Sequence, residues 1–252
     1  MSSGINPYDA EFHLSHANGS LSSAQAIVPL VIDLVKPVSV IDIGCGIGTW
    51  LRAFADLGVC DYLGLDGDYV NRSDLLIPED KFHPANLKEP PSLERKFDLA
   101  VCLEVAEHLP ESVANKFVEY LVNAAPVILF SAALPGQGGT NHINEQWPYF
   151  WRLRFEQRGY TRLDPIRPKV WRDRRVEWWY QQNIYLYVNE SAIASNPKLI
   201  EEKELAKQFP SELVYDYVIG KLHQATTVRG IVAALPGAVI NAANRIVSRS
   251  GK

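Results

Sequence analysis

The segment Glu104-Val105-Ala106-Glu107-His108 places two carboxylates and an imidazole within five residues, directly after an apolar run. Carboxylate oxygens and an imidazole nitrogen so grouped can hold a hard divalent cation. They can also contact a substrate, and Glu107 and His108 can cap a helix starting near Pro110. A second imidazole, His142, follows the glycine-rich run Pro135-Gly136-Gln137-Gly138-Gly139 in the segment Thr140-Asn141-His142-Ile143-Asn144-Glu145-Gln146-Trp147. An imidazole on a lid-like loop suits general-base removal of a hydroxyl proton. A bond within its own loop and service as a fourth metal ligand are the other roles open to His142. The catalytic set expected from the sequence is therefore His142 as base, with Glu104, Glu107 and His108 as substrate-binding or metal-binding groups.

A second chemical feature lies upstream. Asp42-Ile43-Gly44-Cys45-Gly46-Ile47-Gly48-Thr49-Trp50 follows a β-rich run and leads into a helical one. Glycines at such a turn allow positive φ and let a ligand approach the backbone, and the amides of a helix start favour an acidic ligand group. The dinucleotide fingerprint asks for a third glycine three residues after the second, where this chain has Thr49. Asp42 adds a carboxylate suited to a cationic group beside the loop. Asp66 stands about 20 residues beyond the loop, where an acid can accept hydrogen bonds from both hydroxyls of a ribose.

These residues need a scaffold, and the hydrophobic pattern predicts one. Strands are expected at 38–44, 62–66, 82–86, 97–104, 126–132, 160–166 and 183–188. Helices are expected at 22–35, 49–57, 111–123 and 147–157. Alternation of the two predicts a parallel sheet covered on both faces. Residues 1–190 read as one catalytic domain and 191–252 as a helical tail, with helices at 197–208 and 211–224 and an apolar segment at 227–247.

Taken together, the glycine loop, Leu63-Gly64-Leu65-Asp66, Pro84-Ala85-Asn86-Leu87 and the run from Phe97 to Leu109 resemble the class I S-adenosylmethionine (SAM)-dependent methyltransferases over about residues 20–190. The resemblance implies a Rossmann-like α/β fold, with a seven-stranded, mostly parallel sheet whose last strand is antiparallel. It implies SAM bound by Asp42, Gly44, Cys45, Gly46, Gly48, Asp66, Asn86, Leu87 and Leu103. The E-x-x-E-H segment is similar to that of the UbiG/Coq3-like quinone O-methyltransferases and of small-RNA 2′-O-methyltransferases. There it ligates magnesium or a related ion, which makes Glu104, Glu107 and His108 the candidate metal set. His142-x-Asn144-Glu145-Gln146-Trp147 resembles a segment of methyltransferases linked to sugars and polysaccharides. His13 and His16, ahead of the first helix, are candidates for a gate over SAM.

Five of the six tryptophans lie between Trp147 and Trp179, and from Trp151 to Tyr180 basic residues outnumber acids nine to four. Trp171-Arg172-Asp173-Arg174-Arg175-Val176-Glu177-Trp178-Trp179-Tyr180 links the last two expected strands. Flat aromatics suit sugar faces and arginines suit phosphate or carboxylate, so the acceptor expected is a hydroxyl of a small or glycan-like metabolite. The triplet Trp178-Trp179-Tyr180 is read as extended, with at least one ring turned from the core.

The 252-residue chain has a formal net charge of −4. Residues 221–252 hold five basic side chains and no acid, so the rest carries 20 basic against 29 acidic groups. That acidic body argues against general nucleic-acid binding. Three scattered cysteines and the lack of a signal-like N-terminus point to a reduced, cytoplasmic protein. The basic, apolar segment 227–247 can pack on the domain or a second subunit, or lie at a membrane surface. The expected function is SAM-dependent O-methylation; RNA 2′-O-methylation and a non-catalytic SAM-binding scaffold are its rivals.

Overall fold

The computed structural model describes the backbone of residues 10–208 and the side chains of residues 19–207. The side chains of His13 and His16 and the tail segments 211–224 and 227–247 lie outside the described residues.

Seven strands form one sheet: β1 (Ser39–Ile43), β2 (Asp61–Asp66), β3 (Phe82–Pro84), β4 (Leu99–Leu103), β5 (Val127–Ser131), β6 (Tyr160–Leu163) and β7 (Tyr185–Asn189). Their order is β3-β2-β1-β4-β5-β7-β6. The five strands from β3 to β5 pair in parallel, and β7 runs antiparallel to both β5 and β6. The expected Rossmann-like sheet, with its antiparallel last strand, is borne out.

β1, β4 and β5 are buried at every position, which is why they read as unbroken apolar runs rather than alternating ones. Alternate residues still serve opposite faces. Val40, Leu99, Val101 and Leu129 pack with Ile27 and Val31 of α1 (Ala10–Val35) and with Leu51 and Phe54 of α2 (Thr49–Asp56). Ile41, Ala100, Ile128 and Phe130 pack with Phe117 and Leu121 of α3 (Ala114–Ala124) and with Trp151 and Phe155 of α4 (Pro148–Glu156).

α1 begins well before the expected position 22. The helix runs through Gly19 and Ser20; Glu177 lies against Gly19, and Ser23 Oγ donates to the Gly19 carbonyl at 2.8 Å. Two further helices follow β6: α5 (Arg167–Val170) and α6 (Trp178–Asn183). α6 corrects the extended reading of Trp178-Trp179-Tyr180. The Gln181 side chain donates to the carbonyls of Asp173 and Val176 and accepts from the Arg172 amide, folding the 172–177 loop onto the helix. Adjacent aromatics favour a strand, but this polar cross-bracing overrides that local preference. α7 (Glu190–Ser195) and α8 (Pro197–Gln208) return to the body, where Asn196 Nδ2 donates to the Leu34 carbonyl at 2.8 Å. No helix among the described residues is long and apolar enough to cross a membrane.

Candidate active site

The carboxyl ends of β1, β2 and β4 open onto one cavity of about 1160 Å³. Between β1 and α2 the chain makes three left-handed turns, at Gly44, Gly46 and Gly48. A side chain at Gly44 would strike Val105 at 2.3 Å, and one at Gly48 would strike Ile77 at 2.8 Å. These two glycines let neighbouring elements close in on the loop. A side chain at Gly46 would meet nothing within 4 Å; its bare backbone faces the cavity.

The expected SAM residues divide by depth. Gly44, Cys45, Gly46, Asp66, Asn86, Leu87 and Leu103 line the cavity; Asp42 and Gly48 do not. Asp42 is buried, and its Oδ2 has no hydrogen-bond partner. Burial and the nearby Asp66 carboxylate push its pKa well up. An acid so placed gains from a cation brought to the loop above it. Asp66 is fixed at the end of β2: Gly46 N–H donates to its Oδ2 at 2.6 Å, and Gly67 N–H to its Oδ1 at 2.6 Å. The Asn86 Oδ1 accepts from the Lys88 amide, which shapes the turn beside Leu87. A bare glycine backbone, an unpartnered buried carboxylate and a second carboxylate one strand away thus stand together at one end of the cavity.

At the other end of the cavity stand Glu104, His108 and His142. Glu104 follows β4 with φ 55°, a left-handed conformation that is strained for a non-glycine residue. Its amide donates to the Ser131 carbonyl and hydroxyl. Its carboxylate is gripped from two other elements, by Gln137 Nε2 of the loop after β5 at 2.8 Å and by Asn183 Nδ2 at the end of α6 at 3.2 Å. Glu107 lies on a 3₁₀ turn (Ala106–His108) and points inward, fully buried, with neither oxygen partnered. Burial and Glu104 push its pKa well up. His108 is held down at about 4 by burial and by the nearby His142, so it is neutral at physiological pH.

His142 reaches this group through backbone docking. The amides of Ile143 and Asn144 both donate to the Glu107 carbonyl at 3.0 Å, laying the 141–144 segment across the turn. The rings of His108 and His142 then meet edge to face, centroids 4.8 Å apart. Ligating atoms of Glu107, His108 and His142 all lie within 4.8 Å of one another. The cluster thus takes in His142, whereas the carboxylate of Glu104 is turned to Gln137 and Asn183.

Glu145 organises the loop. Its Oε1 accepts from Gly138 N–H at 2.8 Å and faces His142 Nδ1 at 3.1 Å; its Oε2 accepts from Gly136 N–H at 2.7 Å. Sequence reasoning assigned no role to Glu145, Gln137 or Asn183. The three-residue interval from His142 to Glu145 was the one available signal, and it is weak without knowledge of the turn.

The aromatic and basic stretch separates into parts. Trp178, Trp179 and Tyr180 line the cavity, and Tyr180 packs edge to face on Trp50. Trp151 is core, tilted against Phe130 with ring centroids 5.4 Å apart, while Trp147, four residues earlier, is 48% exposed at the helix start. Arg167 is fully buried between Asp164, the Tyr185 hydroxyl and the Gln181 carbonyl, a structural role. Arg172, Arg174 and Arg175 are exposed and absent from the cavity wall.

A family profile described as a methyltransferase domain matches residues 20–183. Among solved structures, the sugar N-methyltransferase KedS8 from Streptoalloteichus sp. is similar at 13% identity and a TM-score of 0.54, over 75% of this chain and 96% of that one. A putative O-methyltransferase from Nostoc punctiforme is similar at 11% identity and a TM-score of 0.51, over 71% of this chain and 59% of that one. The methyltransferase domain of the bacterial CtHen1 is similar at 18% identity and a TM-score of 0.50, over 68% of this chain and 98% of that one. At these identities the likeness is one of fold. A search of curated proteins finds no match.

Proposed function

From the premise that the chain belongs to the methyltransferase-domain family, we propose that it methylates a hydroxyl of a small, sugar-containing acceptor at the expense of SAM. The observation that carries this reading is the single cavity that joins Gly46 and Asp66 to Glu104, His108 and His142. When bound, SAM would supply an electrophilic methyl carbon on a sulfonium centre: the acceptor oxygen would bond to that carbon as the carbon–sulfur bond breaks, with S-adenosylhomocysteine as the leaving group.

The chain's own residues hold, orient and deprotonate. Gly46 and Asp66 would hold the nucleoside, with the Asp42 carboxylate beneath the cationic end. Trp178 and Trp179 would take the flat face of a sugar ring. Glu104, fixed by two carboxamides, accepts a hydrogen bond from the acceptor and aims it. Glu145 takes the Nδ1 proton of His142 as a hydrogen bond, which leaves Nε2 to receive the hydroxyl proton. The exposed arginines 172, 174 and 175 would meet an anionic carrier outside the cavity.

Glu107, His108 and His142 also have the donor set for a divalent cation, and two unpartnered oxygens on a buried acid fit that use. A cation there would lower the pKa of an acceptor hydroxyl. One imidazole nitrogen cannot both ligate and take the proton, so chelation separates the roles. Turnover lost in excess chelator and restored by magnesium or manganese assigns His142 to the metal; unchanged turnover assigns it to the base.

The defining test is methyl labelling from SAM in a metabolite extract and in an RNA pool. Label in a small glycosylated product is expected, and label confined to RNA would overturn the acceptor class. His142→Ala is expected to lower turnover more than about 100-fold with the affinity for S-adenosylhomocysteine (SAH) unchanged. Near-normal turnover in that variant would remove His142 from the mechanism.

A further inference from the structure

The carboxylate of Asp66 is more heavily engaged than a ribose acceptor should be. Its Oδ2 takes one donor, Gly46 N–H, but its Oδ1 takes two: Gly67 N–H and the Tyr69 hydroxyl. A carboxylate oxygen offers about two lone-pair sites. A ribose that bonds this acid through both hydroxyls needs a site on each oxygen. Oδ2 has one to spare and Oδ1 has none. The Gly67 amide is fixed in the chain next to Asp66, so the donor that can yield is the Tyr69 hydroxyl.

Tyr69 is placed to yield. It lines the cavity on the loop after β2, yet it is 54% exposed, so moving the ring uncovers little apolar surface. The ring rests on the bare backbone of Gly67, where a side chain would lie 2.1 Å from it. That glycine gives the ring a seat directly over the Asp66 peptide without burying it.

We propose that Tyr69 is an internal competitor for the ribose site. Its hydroxyl satisfies Asp66 Oδ1, a ribose hydroxyl displaces it on binding, and its return helps to expel the spent nucleoside. This inference rests on the SAM reading of the cavity, and it assigns Tyr69 a part in setting cofactor affinity and release.

The test is equilibrium binding of SAH to the full-length protein and to Tyr69→Phe, which keeps the ring and removes the hydroxyl. Deleting a competing hydrogen bond should tighten binding by about threefold to tenfold, with a slower off-rate in stopped flow. The gain should vanish for the 2′,3′-dideoxy analogue of SAH, which has no hydroxyl to compete. Equal or weaker SAH binding by Tyr69→Phe overturns the proposal, as does an equal gain for the dideoxy analogue. Asp66→Ala serves as the separate check on the premise. If the unaltered protein binds SAH and Asp66→Ala does not, the SAM reading stands whatever Tyr69 does. If the unaltered protein does not bind SAH, both readings fall.

Discussion

At the scale of single residues, the site is built from acids whose charge the fold resists. Asp42 is buried beside Asp66 and its pKa is pushed well up. In the unfolded chain its carboxyl ionises near the ordinary aspartate value of 3.8. Between that value and the higher folded one, the folded chain holds a proton that the unfolded chain has released. Stability from this residue is therefore full at low pH and is lost as pH rises through the folded pKa. Asp42→Asn should flatten the fall in melting temperature as pH rises above 3.8, and on the SAM reading should weaken SAH binding by removing the carboxylate proposed beneath its ammonium. An unchanged pH profile in thermal melts would show that Asp42 does not titrate in this window. Glu145 acts at one remove, through His142 Nδ1 and two glycine amides. Glu145→Gln should lower kcat by about 10- to 100-fold, as loss of an orienting partner does, with SAH affinity unchanged. A matched loss of SAH affinity would mean the residue shapes the cofactor end instead.

At the scale of elements, the two glycine-rich loops do different work. In the loop after β1, Gly44 is required by packing against Val105 and Gly46 by access to the cavity. Gly44→Ala combines left-handed strain with overpacking, about 2–4 kcal/mol together, and should lower the melting temperature by about 5–12 °C. Gly46→Ala adds left-handed strain alone, about 1–2 kcal/mol, yet should weaken SAH binding by more than about tenfold because its methyl group enters the ligand's space. Thermal melts and titration on the same two variants check this split; equal losses of binding and stability in both would refute it. The loop after β5 is organised differently, by Glu145 gripping Gly136 and Gly138 from beyond the turn. The strain at Glu104 belongs to this scale too. Ser131 at the end of β5 takes its amide, while Gln137 of the following loop and Asn183 at the end of α6 hold its carboxylate, so three elements brace the residue whose φ is 55°.

At the scale of the whole molecule, parallel strands ending at one edge turn scattered residues into one cavity. Ligand binding should therefore be felt by the entire domain. SAH at 100 times its dissociation constant should add about 2.7 kcal/mol and raise the melting temperature by about 5–11 °C. A shift below 2 °C at saturation, measured by calorimetry, would argue that the cavity does not take the nucleoside. The family match covers residues 20–183 and the sheet continues through Asn189, and the basic, apolar segment 227–247 remains a proposed contact for the body, a second subunit or a membrane surface. Sedimentation of the full chain with anionic liposomes decides the last of these; protein that stays in the supernatant excludes it.

The sheet and the glycine loop with its two flanking acids were legible in the chain alone. Those features are local: apolar runs of strand length, glycines at a strand-to-helix turn, and an acid at the end of each of two neighbouring strands. The arrangement of Glu104, His108 and His142 at the other end of the cavity came only from the folded chain. His142 meets His108 because two amides dock on the Glu107 carbonyl, across 34 or more residues of chain. Glu104 is taken by Gln137 and Asn183 rather than by the cluster beside it, and Trp178–Tyr180 turn into a helix under the bracing of Gln181. The first two depend on hydrogen bonds between segments distant in sequence, which leave no periodicity or spacing in the chain from which they could be read; the third rests on Gln181 reaching back five to nine residues to Arg172, Asp173 and Val176, a side-chain bracing that no hydrophobic period records.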